Sequence, residues 1–384
     1  MFSFEYYNPV NIVFGEQQIE KSLSHLVLPE ERVFVCSGQG SAERSGVLKK
    51  VREALGNRLV GEFAGIEPNP DIETLAQASQ QARAANATFI LAVGGGSVID
   101  GVKLIAAQAK LNLSDPWQIV SSMGKKVTDA LPFGAVLTLS ATGSEMNSGS
   151  VVSRKATGEK KSFQSRWVFP KFSIIDPSVM LSLPMRQVVN GIVDPYVHVV
   201  EQYLTYPVQA KLQERQAEAI LSVLLEESPK VIADLTDLVA RKNLIWAATC
   251  ALNGAIGVGV PGDWSTHLIG HELTARWGLD HAQSLAVVLP SLLRFALEYK
   301  GDMLQQYGER VFHLKGRDVR REAIQKTEDF FISVGAPTKL SSYGVTLSEV
   351  ESLASDLAAM YPSGIGEKSA IKGNDFLTIL QGCY

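Results

Sequence analysis

Short apolar runs that recur at a strand-to-helix spacing constrain this chain more than any other feature. Residues 10–14, 32–36, 59–63, 88–93 and 135–139 are β-branched or apolar runs bounded by Gly or Pro. Helix-like stretches lie between several of them, at 42–55, 71–85 and 98–110. Alternation at this interval predicts βαβ units and a parallel sheet, because parallel neighbours need a crossover long enough to hold a helix. The pattern changes near Met185. Strand signals fade, and apolar residues recur three and four apart, at Val188, Ile192, Tyr196 and Val199 and then over 217–225, 244–252 and 285–297. Pro177 and Pro184 punctuate the junction. With 384 residues to bury two cores, we read an α/β domain over 1–184 and an all-helical domain over 185–384. The active site is expected in the cleft between them.

Ligands of such sheets bind at the carboxyl ends of the strands, so the loops there are informative. VFVCSGQGSAERSG puts Gly38 and Gly40 after one strand, and LAVGGGSVIDGVK puts Gly94, Gly95, Gly96 and Ser97 after another. LTLSATGSEMNSGS puts Thr138, Ser140, Thr142, Gly143, Ser144 and Asn147 after a third. None spells GxGxxG or a P-loop. A glycine-rich strand end that opens a helix still suits pyrophosphate, since backbone N–H groups and the helix N-terminus reach the anion unobstructed. One such loop is an ordinary tight turn, whereas three together favour a dinucleotide. Gly38-Gln39-Gly40-Ser41 has no carboxylate for an adenosine ribose and Arg44 is close by, which favours NADP(H), with Glu43 counting against it. Lys160, in TGEKKSF, adds a cation for the phosphates or the nicotinamide, although a lone lysine is more often solvated surface.

The second half gathers imidazole. Four of the six histidines fall between Asp194 and Pro290: His198 in VDPYVHVVEQ, and His267, His271 and His281 in DWSTHLIGHELTARWGLDH. Asp194 and His198 are four apart, as are His267 and His271, so on a helix each pair shares a face. One carboxylate with several neutral imidazoles suits zinc, iron, cobalt or nickel and is too rich in nitrogen for magnesium or calcium. Three imidazoles and one carboxylate leave a divalent ion with net positive charge and an open position, a Lewis acid. The bland alternative is a set of hydrogen-bonded core histidines. A metalloprotease is excluded, because HExxH fails at Ala275.

Composition removes other classes. A net charge of −4 without a Lys/Arg block argues against nucleic acid and against a membrane surface. Three cysteines, Cys36, Cys250 and Cys383, show no CxxC spacing and fit a reducing compartment. The N-terminal stretch has no signal-peptide pattern, so a cytoplasmic protein is expected. Residues 243–262 run twenty positions without a charge. Their glycines, asparagines and proline make a membrane span a poor reading, and a fully buried helix leading into the His267 cluster is expected instead. The tail 361–384 has only a weak helical period and suggests no role.

With these motifs in view, the chain resembles the iron-containing (type III) alcohol dehydrogenases, which have the dehydroquinate synthase-like pair of domains. More narrowly, it is similar to the bacterial NADPH-dependent broad-range aldehyde reductases related to butanol dehydrogenases. The likeness covers nearly the whole chain through NPVNIVFG, GIEPNP, LAVGGGSVIDGVK, DPW, LTLSATGSE, SRKATGEK, DPSVMLSLP, VDPYVHVVEQY and GVPGDWSTHLIGHELTARWGLDHAQSLAVVLP. It implies that Asp194, His198, His267 and His281 bind the metal, zinc in some members and iron in others, with His271 near the metal and the nicotinamide, either supporting the ligands from behind or relaying a proton. It also implies cofactor contacts from Gly38, Ser41, Asn69, Gly95, Gly96, Ser97, Asp100, Thr138, Thr142, Asn147 and Lys160. Val179 stands where some relatives carry a tyrosine. Ala282 follows the last ligand where much of the wider family has Gly, in agreement with the aldehyde reductases.

The expected activity is hydride transfer between NADP(H) and small aldehydes or primary alcohols, chiefly in the direction of reduction, by a homodimer. Two alternatives are a lyase like dehydroquinate synthase and a non-enzymatic nucleotide-binding scaffold. The lyase would need several Lys and Arg around an anionic substrate, and the helical window offers only Arg276.

Overall fold

The computed structural model describes residues 1–384. By internal contacts the chain divides into one unit of Tyr7–Leu183 and another of Met1–Tyr6 with Pro184–Tyr384. The first six residues therefore go with the helical unit and not with the α/β unit, where the sequence reading put them. The Phe2 N–H donates to the Gly259 carbonyl at 2.9 Å, which holds them there.

The α/β unit has eight strands: β1 (Asn11–Phe14), β2 (Val33–Gly38), β3 (Leu59–Ile66), β4 (Phe89–Gly95), β5 (Phe133–Leu139), β6 (Gly149–Arg154), β7 (Glu159–Gln164) and β8 (Phe172–Ile175). Six form a sheet in the order β1-β8-β5-β4-β2-β3, with every neighbouring pair parallel. Central strands covered on both faces need continuous apolar runs. Ile90, Leu91, Ala92 and Val93 accordingly are all fully buried. β6 and β7 make a separate antiparallel hairpin closed by Gly158 at φ +67. These two and β8 lie outside the runs read from the sequence.

Strand order positions the loops. The chain runs from β2 out to β3 and then returns to the other side of β2 as β4, so the connections after β2 and β4 diverge at a switch point. Ser37 lies opposite Val93, and Gly94 opposite Leu137, so the carboxyl ends of β2, β4 and β5 are neighbours. The expected helix 42–55 is two helices, Ser41–Arg44 and Val47–Leu55, because Gly46 at φ +78 breaks it in a conformation that glycine adopts without strain.

The second unit is helical. Helix Leu238–Ala251 ends well before Gly262, so the expected buried helix over 243–262 is corrected: Gly254 (φ +91) and Gly259 (φ +69) sit in a non-helical connection, and Trp246 is exposed. The tail has a structural part that the sequence did not suggest. Ile365, Ile371, Phe376, Ile379 and Leu380 share a buried cluster with Ile269, Leu273 and Val288, so the tail roofs the core beneath the histidine-bearing helix Ser265–Trp277. No helix is long and apolar enough to cross a membrane.

Candidate metal centre and nucleotide loops

Three helices of the second unit supply the imidazole cluster. Helix Met185–Tyr203 carries Asp194, His198 and Glu201 at positions i, i+4 and i+7, a single stripe. Helix Ser265–Trp277 carries His267 and His271, and helix His281–Phe295 begins at His281. Its N-cap, Asp280, closes a reciprocal capping box with Gln283. The Asp280 carboxylate also accepts from Arg186 (2.5 and 2.6 Å) and from Asn190 (2.8 Å), both on the Asp194 helix, so two of the three helices are locked together beside the cluster.

The Nε2 atoms of His198, His267 and His281 stand 3.4, 3.7 and 3.8 Å from Asp194 Oδ1. Ligand atoms held at zinc distances around a tetrahedral centre lie about 3.3 Å apart, so this spread is that of a slightly open cage. The donor atoms of Asp194, His267 and His281 all lie within 4.8 Å of one another. His198 stands just outside this set, its ring stacked on that of His267 with centroids 4.7 Å apart. His271 is displaced further, its ring centroid 5.1 Å from His281 and 6.4 Å from His267. Trp264, held at φ +61, walls the cluster with its ring centroid 5.5 Å from His267.

The donor set fits a divalent cation. Asp194 Oδ1 and His267 Nε2 are buried without hydrogen-bond partners, although buried polar atoms are almost always satisfied. Two such atoms aimed at one point mark a place for an ion. Burial pushes His198 down to about 4, which leaves a neutral ring with a lone pair to offer. Burial lowers His267 too, but Glu201 and Asp194 outweigh it and push the ring up to about 9. Their negative charge is what a bound cation would balance.

Glu201 had no assigned role from sequence, although its spacing from His198 was a usable signal. Its Oε2 meets His267 Nδ1, its Oε1 accepts from the Thr266 N–H at 2.5 Å, and its backbone carbonyl accepts from the Asp263 N–H at 3.0 Å. A carboxylate on Nδ1 fixes the tautomer that leaves Nε2 free to ligate. Asp263 in turn belongs to a buried ionic hub. Lys300 Nζ donates to Asp263 Oδ2 (2.7 Å), Glu367 Oε1 (2.9 Å) and the Leu204 carbonyl (2.6 Å).

In the α/β unit the loops converge as their strands require. A Cβ on Gly96 would fall 2.3 Å from Thr142 Oγ1, and one on Gly94 would fall 2.4 Å from Val98, so only glycine permits this approach. Gly95 and Ser97 flank the start of helix Gly96–Leu111, and Thr138 lies at the end of β5. Asn69, at φ +54, turns the connection after β3 on the same edge. Gly38 and Ser41 bracket the turn after β2.

Several of the residues implied as cofactor contacts have protein partners, Thr142 through Ser144 at 2.7 Å among them. Asn147 accepts from Lys103 Nζ (2.8 Å) and from the Gly149 N–H (3.0 Å), and donates to the Gly143 carbonyl (2.9 Å). Asp100 accepts from the Val151 N–H at 2.9 Å. Burial raises the Asp100 carboxyl, against the pull of Lys103 and Lys160. Lys103, fully buried and brought down to about 8 by that burial, had no sequence signal apart from its place in the GGGSVIDGVK run. Val179 packs against the apolar core on one side of the sheet.

The family model described as iron-containing alcohol dehydrogenase matches residues 9–177, and that described as Fe-containing alcohol dehydrogenase family, C-terminal, matches 188–382. The chain is 48% identical over 97% of its length to the NADPH-dependent aldehyde reductase YqhD of Escherichia coli K12, of which 97% is covered. It is 38% identical, with 99% of both chains covered, to the probable NADH-dependent butanol dehydrogenase 1 of Bacillus subtilis. Among solved structures it superposes on E. coli YqhD with a TM-score of 0.95 at 45% identity, covering 100% of this chain and 99% of that one. For the NADH-dependent butanol dehydrogenase A of Thermotoga maritima the TM-score is 0.93 at 30% identity, again covering 100% and 99%.

Proposed function

The chain belongs to the iron-containing alcohol dehydrogenase family, a metal-dependent and nicotinamide-linked oxidoreductase, and from that premise we propose that it reduces small aldehydes with NADPH. The observation that carries this reading is the convergence of three imidazole nitrogens on one buried carboxylate oxygen. Because cellular NADP is mostly reduced, reduction is the direction expected.

Asp194, His198, His267 and His281 would hold the ion, zinc or iron. The ion would supply positive charge where a carbonyl oxygen gains electrons, and reduced nicotinamide the hydride. The chain's own residues do the rest. Glu201 holds the His267 ring with Nε2 facing Asp194. Trp264 packs its ring edge-on against the His267 ring. His271, half-buried and next to His281 but outside the donor set, is placed to pass a proton from its ring to the product oxygen. The loops at Gly38, Ser41, Asn69, Gly95, Gly96, Ser97, Thr138 and Thr142, with Asp100, Asn147 and Lys160, bind the dinucleotide. Arg44 gives the turn after β2 its preference for a 2′-phosphate.

A lyase acting on a phosphorylated substrate is disfavoured by Arg276, the one arginine of helix Ser265–Trp277, which is committed to Asp356. A homodimer in a reducing cytoplasm completes the reading, consistent with three free cysteines.

The test is NADPH oxidation in the presence of butanal, followed by nicotinamide absorbance, with metal content measured on the same preparation. His267→Ala is expected to lose bound metal and turnover together. Full turnover from the metal-free variant refutes the site.

A further inference from the structure

The turn after β2 presents a carboxylate close to where NADP(H) tolerates one least. Glu43 is exposed, two residues beyond Ser41, on helix Ser41–Arg44. It does not stand alone. Arg52, from helix Val47–Leu55, grips it in a two-pronged pair, Nη1 to Oε1 at 3.0 Å and Nη2 to Oε2 at 2.7 Å. The same guanidinium holds Glu62 of β3 through Nε and Nη2, both at 2.8 Å. Those bonds from Arg52 hold the Glu43 carboxyl below the usual carboxylate range, so it carries its charge at neutral pH.

Arg44 is arranged differently. Gly40 takes φ +95, and a Cβ there would fall 3.0 Å from Arg44 Nη1, so the guanidinium folds back over the turn into space that any side chain at position 40 would occupy. The β2–β3 pairing slips between Ser37 and Gly38, which sets this turn apart from the regular ladder. Arg44 is exposed, and no carboxylate lies within ion-pair distance of it.

We propose that Arg52 is a cofactor-specificity determinant that acts through Glu43. By clasping Glu43 toward Glu62 it draws the one carboxylate of the turn aside and offsets part of its charge, which leaves Arg44 to meet the 2′-phosphate of NADP(H). The inference rests on the proposal that NADP(H) is the cofactor and that its 2′-phosphate lies at residues 38–44.

The experiment measures KM and kcat for NADPH and for NADH on metal-loaded wild type, R52M, E43Q and R52M/E43Q. R52M is expected to raise KM for NADPH on the order of five- to tenfold, the effect of one positive charge lost from beside two carboxylates near a doubly charged phosphate at a solvated surface. KM for NADH should not move, and the rise for NADPH should shrink at high salt. R52M/E43Q should recover wild-type KM for NADPH, because the carboxylate of the turn is gone and the cluster, with Glu62 alone charged, is back at its wild-type net charge.

If R52M keeps the wild-type ratio of the two KM values, the inference is overturned. If the double variant stays as impaired as R52M, it is overturned too, because Arg52 then contacts the phosphate itself. Wild type that uses NADH as well as NADPH overturns the cofactor reading, and the role of Arg52 with it. NADPH preference that is lost in R44M but intact in R52M sinks the role of Arg52 alone.

Discussion

Replacing Glu201 by Gln tests the metal centre without touching a proposed ligand. Both carboxylate oxygens are used, Oε1 by the Thr266 N–H at 2.5 Å and Oε2 by His267 Nδ1. Glutamine can keep only one of these. If its amide NH2 faces Nδ1, that nitrogen becomes an acceptor, the ring proton moves to Nε2, and the ligand lone pair is lost. If the amide is flipped, the NH2 faces the Thr266 N–H, two donors meet in a site where Glu201 and Thr266 are both buried, and an unsatisfied N–H costs about 1–3 kcal/mol. Either outcome weakens the site by roughly 10- to 100-fold in metal affinity, the usual effect of losing a carboxylate behind a ligating histidine. That range corresponds to about 1.4–2.7 kcal/mol. Equilibrium competition against a chromophoric chelator reads the affinity directly, and kcat at saturating metal should change much less than affinity. Wild-type metal affinity in E201Q would show that the Glu201–His267 contact does not orient the ring.

Two further outcomes are expected. His271→Ala should retain bound metal while lowering kcat and reshaping its pH profile; loss of metal would mean that His271 is a ligand in place of one of the other three. Lys300→Met should destabilise the fold by about 3–5 kcal/mol in denaturant unfolding, because it strands Asp263 and Glu367 as buried charges; a loss below about 1 kcal/mol would mean that the hub is open to water. The pH sign follows from Asp263. Burial would raise its carboxyl, but Lys300 outweighs this and holds it below the ordinary 3.8. The stabilisation is therefore complete above that value and is lost as pH falls through the lower folded one.

Much of this protein is written locally. Apolar runs such as Phe89–Gly95 must be strands buried on both faces, and a glycine run at the end of one must make a turn that a backbone can approach closely. The four-residue spacing of Asp194 with His198 and of His267 with His271 puts each pair on one helical face. These are properties of a few consecutive residues, so a period or a missing side chain reveals them.

Spacing could not choose among histidines, because His271 is as well placed on its helix as His267. Packing puts the His267 ring against Asp194 and Glu201 and leaves His271 beside His281. The same holds for Glu201 behind His267, for Lys300 joined to Asp263 and Glu367, and for Arg52 between Glu43 and Glu62. It holds too for the tail that covers the histidine helix and for the helix that stops at Ala251. A charged or imidazole side chain acquires its chemistry from whatever burial brings within about 4 Å of it, and for these residues most partners lie on another element of the chain.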